Sequence, residues 1–192
     1  HTRIANDNHQ IAIGGTARVD DFTETFTGRD VSRSENTVGV YGEYTFSWEE
    51  SREGADFRAF TAILGLRADR HNLGGNQFSP RLNLKYNPSD KSAIRFSTGR
   101  GWRSPNVLVD NLNWLPSSRV VTLETEDNEV DNSNPGFLGL ESSWNYGINV
   151  TQDFTLGGRE GQLMFDAFRT IFTDQIIADA EQDITSLRLY QL

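Results

Sequence analysis

Apolar and polar side chains alternate with a period of two over much of the chain, and the alternation recurs. From Val38 to Trp48 the even positions read Val38, Val40, Gly42, Tyr44, Phe46 and Trp48, and the odd positions Gly39, Tyr41, Glu43, Thr45 and Ser47. Successive side chains of an extended chain point to opposite faces, so this segment is predicted to be a strand with one apolar and one polar face. Phe60, Ala62, Leu64, Leu66 and Ala68 stand in the same way against Thr61, Gly65, Arg67 and Asp69. Leu82, Leu84 and Tyr86 oppose Arg81, Asn83 and Lys85, and Ile94 and Phe96 oppose Arg95 and Ser97. Trp144, Tyr146, Ile148 and Val150 oppose Ser143, Asn145, Gly147, Asn149 and Thr151. Two stretches are less decided. Ile11 to Val19 carries Gly14-Gly15, which fits a bulge or a change of face. Leu163 to Ile177 is apolar on both phases; its β-branched and aromatic content reads as a strand of unassigned faces, with a helix as the alternative.

The connections form a second pattern. Glu49 to Asp56 is short, Asn87 to Asp90 is a tight turn around Pro88, and Gly157 to Gly161 is a glycine-rich turn. Between them lie longer polar links at Asp20 to Glu35, His71 to Gln77 and, longest, Ser104 to Leu140. Alternating short and long connections predict an up-and-down meander with tight turns at one end and loops at the other. Outer-membrane barrels separate loop lengths in this way, whereas Greek-key sandwiches need not. On the apolar phase Trp48, Tyr86 and Phe154 sit just before the tight turns, while Trp102 and Trp144 flank the longest link. Aromatics in a band at each end, with aliphatics between, suit the two interfaces of a membrane. The polar phase collects Arg67, Asp69, Arg81, Asn83, Lys85, Arg95, Arg103, Asn145 and Asn149. Side by side they resemble a lumen more than a solvated sheet.

Composition narrows the functional classes. The 192 residues fit one domain, and a formal charge of −9 argues against a general nucleic-acid binder. With no cysteine and only three histidines, a disulfide scaffold and a thiolate metal site are excluded, and a three-histidine zinc site would need every imidazole. No apolar run is long enough for a transmembrane helix, a test to which a barrel is blind. The chain opens on His1-Thr2-Arg3-Ile4 without a signal-like segment, which reads like the middle of a longer protein. All basic residues but Lys85 and Lys91 are arginine, the side chain that holds carboxylates in a fork and suits a polar interior.

Specific strings then point to a family. Gly99-Arg100-Gly101-Trp102-Arg103-Ser104-Pro105 resembles the Gly-x-Gly-aromatic-Arg-small-Pro string of TonB-dependent outer-membrane receptors. Val40 to Tyr44, Gly65 to Asp69, Ser79 to Pro88 and Leu140 to Gly147 match the same family in the same order, so the resemblance covers most of the chain from Thr37 to Ile177. It implies an all-β fold: an antiparallel up-and-down meander that is part of a large transmembrane β-barrel, which in these transporters has about twenty-two strands around a plug. It also implies uptake of a scarce nutrient such as a siderophore, cobalamin, metal chelate or glycan. The implied partners are outer-membrane lipid, the plug and remaining strands, a periplasmic energy-coupling protein and the small nutrient ligand. Neither chemistry on the substrate nor a cofactor is implied. The chain departs from the pattern in holding only about seven or eight strands and no recognisable plug, so residues 1–192 read as a single partial barrel segment with an outside loop at about 104–140.

Candidate contacts follow. Arg67, Asp69, Arg81, Arg95 and Arg103 are expected to line the lumen, and the 104–140 loop to close over the ligand. Within that loop Trp114 suits stacking on a sugar or aromatic chelator, or packing inside the loop. Arg103 and Arg119 suit a fork on an anionic ligand, or ion pairs with the loop's own acids. Asp127 and Asp131 belong to a run of alternating oxygen ligands, Asp127 to Asn132, that lacks the glycine and distal glutamate of an EF-hand, so no metal site is expected. Gly99-x-Gly101 lacks the third glycine and the strand-turn-helix context of a nucleotide loop. Two rivals remain: a soluble all-β ligand- or carbohydrate-binding module using Trp102 and Trp114, and, more remotely, a β-rich hydrolase.

Overall fold

The computed structural model describes the chain apart from residues 1, 6–7, 27–28, 51–57, 112, 114–119, 125–136, 180–185 and 192. Eight strands form one antiparallel sheet. They are β1 (Thr2–Ala5), β2 (His9–Phe26), β3 (Arg29–Glu50), β4 (Arg58–His71), β5 (Gly75–Ser89), β6 (Ser92–Arg103), β8 (Glu141–Leu156) and β9 (Arg159–Asp174). Each strand pairs with the next in this order, the topology of a meander. The connection between β6 and β8 contributes one helical turn, α1 (Val107–Asp110), and the short strand β7 (Val120–Glu124). That strand joins β10 (Ile176–Asp179) and β11 (Ser186–Gln191) in a second small sheet, where β7 and β11 run parallel.

The register aligns like with like. Tyr41 pairs with Arg67 and Arg67 with Ser79 on the polar face, while Val40 pairs with Ala68 and Ala68 with Phe78 on the apolar one. The apolar face is uncovered: Val38, Val40, Leu64 and Leu66 keep 63%, 64%, 51% and 51% of their surface exposed. Among the described residues only Ala93, Leu138, Leu140 and Leu189 are buried hydrophobics. A sandwich would bury these flanks against a second layer, so the soluble-module reading finds no core here. An outward apolar band is what a bilayer requires of a barrel wall.

Both undecided stretches resolve. β2 pairs with β3 without a register shift from His9–Phe46 to Phe26–Arg29, so Gly14-Gly15 marks neither bulge nor change of face. Gly14 instead makes room for the Tyr41 ring, which a β-carbon there would strike. Leu163 to Ile177 forms most of β9 and the start of β10 rather than a helix, and pairing sets the faces of β9. Asp166 lies beside Asn149 on the polar face and Arg169 beside Tyr146 on the apolar one.

The connections need more correction. The turns at Asp90-Lys91 and Gly157-Gly158 are two-residue hairpins, the second with both glycines at positive φ, 59° and 75°, as a type I′ turn demands. Of the short Glu49 to Asp56 link, residues 51–57 lie outside the described residues. The supposed Asp20 to Glu35 link is mostly strand, and His71 to Gln77 contracts to a three-residue turn at Asn72–Gly74. The asymmetry between the two ends therefore comes from strand length as well as from one long connection. β3 has 22 residues, and about 9–11 suffice to cross a bilayer, so its first half stands above the membrane.

Ile148 sits midway along β8 on the exposed apolar face. Ile148→Arg is expected to cost about 2–4 kcal/mol of barrel stability in phospholipid vesicles, measured by urea titration, whereas Asn145→Ser on the opposite face should cost far less. Equal losses would contradict this orientation.

Candidate functional site

The polar face is most densely built where β3 and β4 rise above the bilayer. Odd positions carry Arg33 and Glu35 on β3 and Arg67, Asp69 and His71 on β4 to one side. Arg33 Nε donates to Glu35 Oε1 at 2.6 Å, and both side chains are nearly inaccessible, at 2% and 4%. His71 Nδ1 accepts the backbone N–H groups of Leu73 at 3.2 Å and Gly74 at 3.0 Å. The other ring nitrogen, Nε2, faces Glu35 Oε2 at 3.4 Å. The same turn is spliced to β3 by Asn72, whose side chain accepts from Asn36 N and donates to Ser34 O, both at 2.9 Å.

Burial raises the Glu35 carboxyl. The neighbouring Ser104 hydroxyl, the hydrogen bond and charge of Arg33 and the His71 hydrogen bond pull it down more strongly, and the balance lies below the ordinary carboxylate value. Ser104 Oγ itself is buried and has no other partner among the described residues.

The start of the β6–β8 connection is fastened to this cluster. Arg33 Nη2 donates to Pro105 O at 3.4 Å, and its guanidinium lies 4.6 Å from the centre of the Phe22 ring. Trp102 Nε1 donates to Asp69 Oδ2 at 3.3 Å, and its ring meets His71 edge-on at 5.9 Å. Trp102 is thus no part of the outer aromatic band, as its phase suggested; that place is held by the stacked Trp144 and Tyr146, 6.3 Å apart. The β5–β6 ladder ends at Arg81–Gly99, which frees the last residues of β6 to turn inward. The far end of the connection is held too: Phe137 stacks on His71 at 5.9 Å, and Gln191 Nε2 donates to Leu140 O at 3.1 Å. Leu138 packs with Leu189, Ile176 and Ala178.

The expected lumen residues fall into two groups. Arg67, Asp69, Arg81 and Arg103 surround a cavity of about 760 Å³. Arg67 Nε pairs with Asp69 Oδ2 at 2.7 Å, Arg81 pairs with Glu43, and Arg103 Nε donates to Glu141 Oε2 at 2.6 Å while Nη2 lies 3.3 Å from Asp110. Arg103 therefore joins the two ends of the connection. Asp69 Oδ1 is buried against Gly39, where a β-carbon would strike it, and has no partner among the described residues. Arg95 stands apart, nearer the tight turns, donating to Asn149 Oδ1 at 2.7 Å; Asn149 in turn donates to Asp166 Oδ1 at 2.6 Å. Trp114, Arg119, Asp127 and Asp131 lie outside the described residues. Among the described residues no group of three His, Asp or Glu could hold a metal.

Arg33, Glu35 and His71 were missed from sequence because they fell in segments read as links. Their signal was present: Arg33, Glu35 and Thr37 continue the odd polar phase of β3, but without an apolar phase opposite they do not register as a strand.

Two expectations follow. Glu35→Gln removes a charge-assisted hydrogen bond from buried Arg33 and should destabilise the folded barrel by about 1.5–3 kcal/mol at neutral pH. Because the folded carboxyl is lowered, its contribution is present above the unfolded value and lost as pH falls through the folded one. Thermal unfolding of the two proteins should therefore converge in acid. Gly39→Ala should push Asp69 off Trp102, lowering the melting temperature and shifting tryptophan emission.

The model for the TonB dependent receptor-like β-barrel matches residues 3–191. The crystal structure of the siderophore receptor PirA from Pseudomonas aeruginosa superposes with a TM-score of 0.59 at 16% identity, over 95% of this chain and 33% of that one. The chain thus spans about a third of the length of that receptor. No curated protein matches in sequence. With an antiparallel meander, an uncovered apolar face and a family match over nearly its whole length, the chain belongs to the TonB-dependent receptor β-barrel family.

Proposed function

We propose that the chain forms part of the wall of an outer-membrane receptor that imports a scarce nutrient by energy-coupled transport in a Gram-negative cell. The observation that carries this reading is the division of labour between the two faces: exposed aliphatics outside, and an ion-paired cavity with a fastened loop base inside. The partners are outer-membrane lipid, the plug and remaining barrel strands, and a periplasmic coupling protein that acts through the plug. A siderophore is the first nutrient to try, since the solved structure of similar fold is a siderophore receptor; cobalamin, another metal chelate or a glycan are the other classes. Arg67, Asp69, Arg81, Arg95 and Arg103 face the lumen in this reading. Trp114, Arg119, Asp127 and Asp131 meet the ligand in this reading, from the connection whose two ends are held on the inner face. Substrate chemistry has no place in the mechanism, which is binding followed by gated passage.

Deleting the gene for the whole receptor in its host should abolish uptake of one radiolabelled ferric siderophore under iron limitation. A protonophore should abolish uptake in the parent strain. Trp114→Ala in the whole receptor should lower uptake about tenfold, the magnitude of one lost stacking contact of about 1–1.5 kcal/mol. Unchanged uptake of every chelate, cobalamin and glycan tested in the deletion strain would end this reading.

A further inference from the structure

Three of the four buried hydrophobics among the described residues, Leu138, Leu140 and Leu189, come from two separate connections at the loop end. Leu138 and Leu140 belong to the connection between β6 and β8, whereas Leu189 lies on β11, beyond β9. Leu189 is wholly inaccessible and packs with Leu138, and Ile176 and Ala178 of β10 close around the pair. Polar ties join the same two segments. Gln191 Nε2 donates to Leu140 O at 3.1 Å, and Ile176 N donates to Glu141 Oε1 at 3.0 Å. Gly139, at φ 134°, lies against the Gln191 side chain, which a β-carbon there would strike. β7 completes the arrangement by pairing in parallel with β11, from Val120–Ser186 to Glu124–Tyr190.

Neither segment has the means to hold this form alone. A two-stranded hairpin such as β10–β11 is marginal in water, and independent stability takes three or more strands with an apolar face. Among the described residues β7 has no partner strand but β11, and parallel pairing is slightly weaker per residue than antiparallel. The apolar cluster is divided in the same way, with Leu138 from one connection and Leu189, Ile176 and Ala178 from the other. We infer that β7, Leu138 to Leu140, β10 and β11 form one cooperatively folded lobe at the loop end of the barrel. Each connection keeps its structure only while the other is in place, and the lobe moves as a single body during transport. The cooperativity rests on packing alone; the joint motion rests also on the receptor reading.

Hydrogen exchange followed by mass spectrometry on the purified whole receptor reads the coupling. Leu189→Ala empties the centre of the cluster from the second connection only. It should speed exchange in β10 and β11 at least tenfold and, by a similar factor, in β7 and at Leu138 to Leu140, with β8 unchanged. Leu138→Ala, made in the first connection, should loosen β10 and β11 in return. A heat-shifted gel band reports an intact barrel. Loosening confined to the connection that carries the substitution overturns the inference. Should both variants fail to fold, Val120→Cys with Ser186→Cys provides a second measurement. These are register partners on adjacent strands, spaced about 4.8 Å apart and so within reach of a disulfide, and the chain has no cysteine of its own. The pair should cross-link on oxidation, and nutrient uptake by the oxidised receptor should stay within twofold of the reduced one. Failure to cross-link, or uptake lost on oxidation and restored by reductant, overturns the inference. The exchange measurement needs no cargo, so its failure leaves the receptor reading standing, whereas absence of uptake in both redox states and in the unmodified receptor tells against that reading alone.

Discussion

A backbone N–H or C=O that enters hydrocarbon must bring its partner with it, since an unsatisfied group there costs several kcal/mol. The rest of this structure follows from that constraint. Helices satisfy it within one segment, but among the described residues no helix is long and apolar enough to cross a bilayer. The chain satisfies it between segments, in ladders that run unbroken from His9–Phe46 to Phe26–Arg29 and from Ser92–Gln152 to Arg103–Glu141. Once strands lie side by side in this way, alternation does the rest. One face meets lipid and can be aliphatic, and the other is turned inward, where polar groups need each other more than they need water.

The inward face meets that need in a graded fashion. Above the bilayer Arg33, Glu35 and His71 are almost wholly buried yet mutually satisfied, and they carry a structural load: they tie the tips of β3 and β4 to Pro105 and Phe137 at opposite ends of one long connection. Burying one of these charges without its partners would be costly, so the cluster is stable only while the connection stays docked. Within the band the ion pairs are more open and each is local to two strands. Arg81 reaches across to Glu43 through the space left above Gly65, where a β-carbon would meet the arginine's own chain.

The strands were legible in the sequence wherever both faces carried contrast. Val38 to Trp48 and Trp144 to Val150 alternate between aliphatic or aromatic and polar, and the sheet follows them residue for residue. The outer halves of β2 and β3 were not legible, because above the bilayer neither face needs to be apolar. Asp20, Arg33 and Glu35 therefore look like loop to any test built on hydrophobic period. Gly14-Gly15 misled for a related reason: the glycine was required by a cross-strand tyrosine, and nothing local to Ile11–Val19 announces Tyr41. Leu163 to Ile177 carried no contrast at all. Its register with β8, a tertiary fact, is what puts Asp166 on one side and Arg169 on the other.

The string that carries the family resemblance acquires a physical meaning from its contacts. Gly99 is confined because a β-carbon would crowd Pro80 O and Arg81 at 3.1 Å, at the last rung of the β5–β6 ladder. Beyond that rung Arg100 caps the free carbonyl of Phe78 at 2.9 Å, Trp102 reaches β4, Arg103 reaches β8, and Pro105 reaches β3. Arg100, Trp102, Arg103 and Pro105 thus contact four different strands, over a stretch that has left β5 while its first residues stay paired with β8. Such a sequence is constrained by geometry rather than by any ligand, so its presence identifies the scaffold and is silent about the cargo.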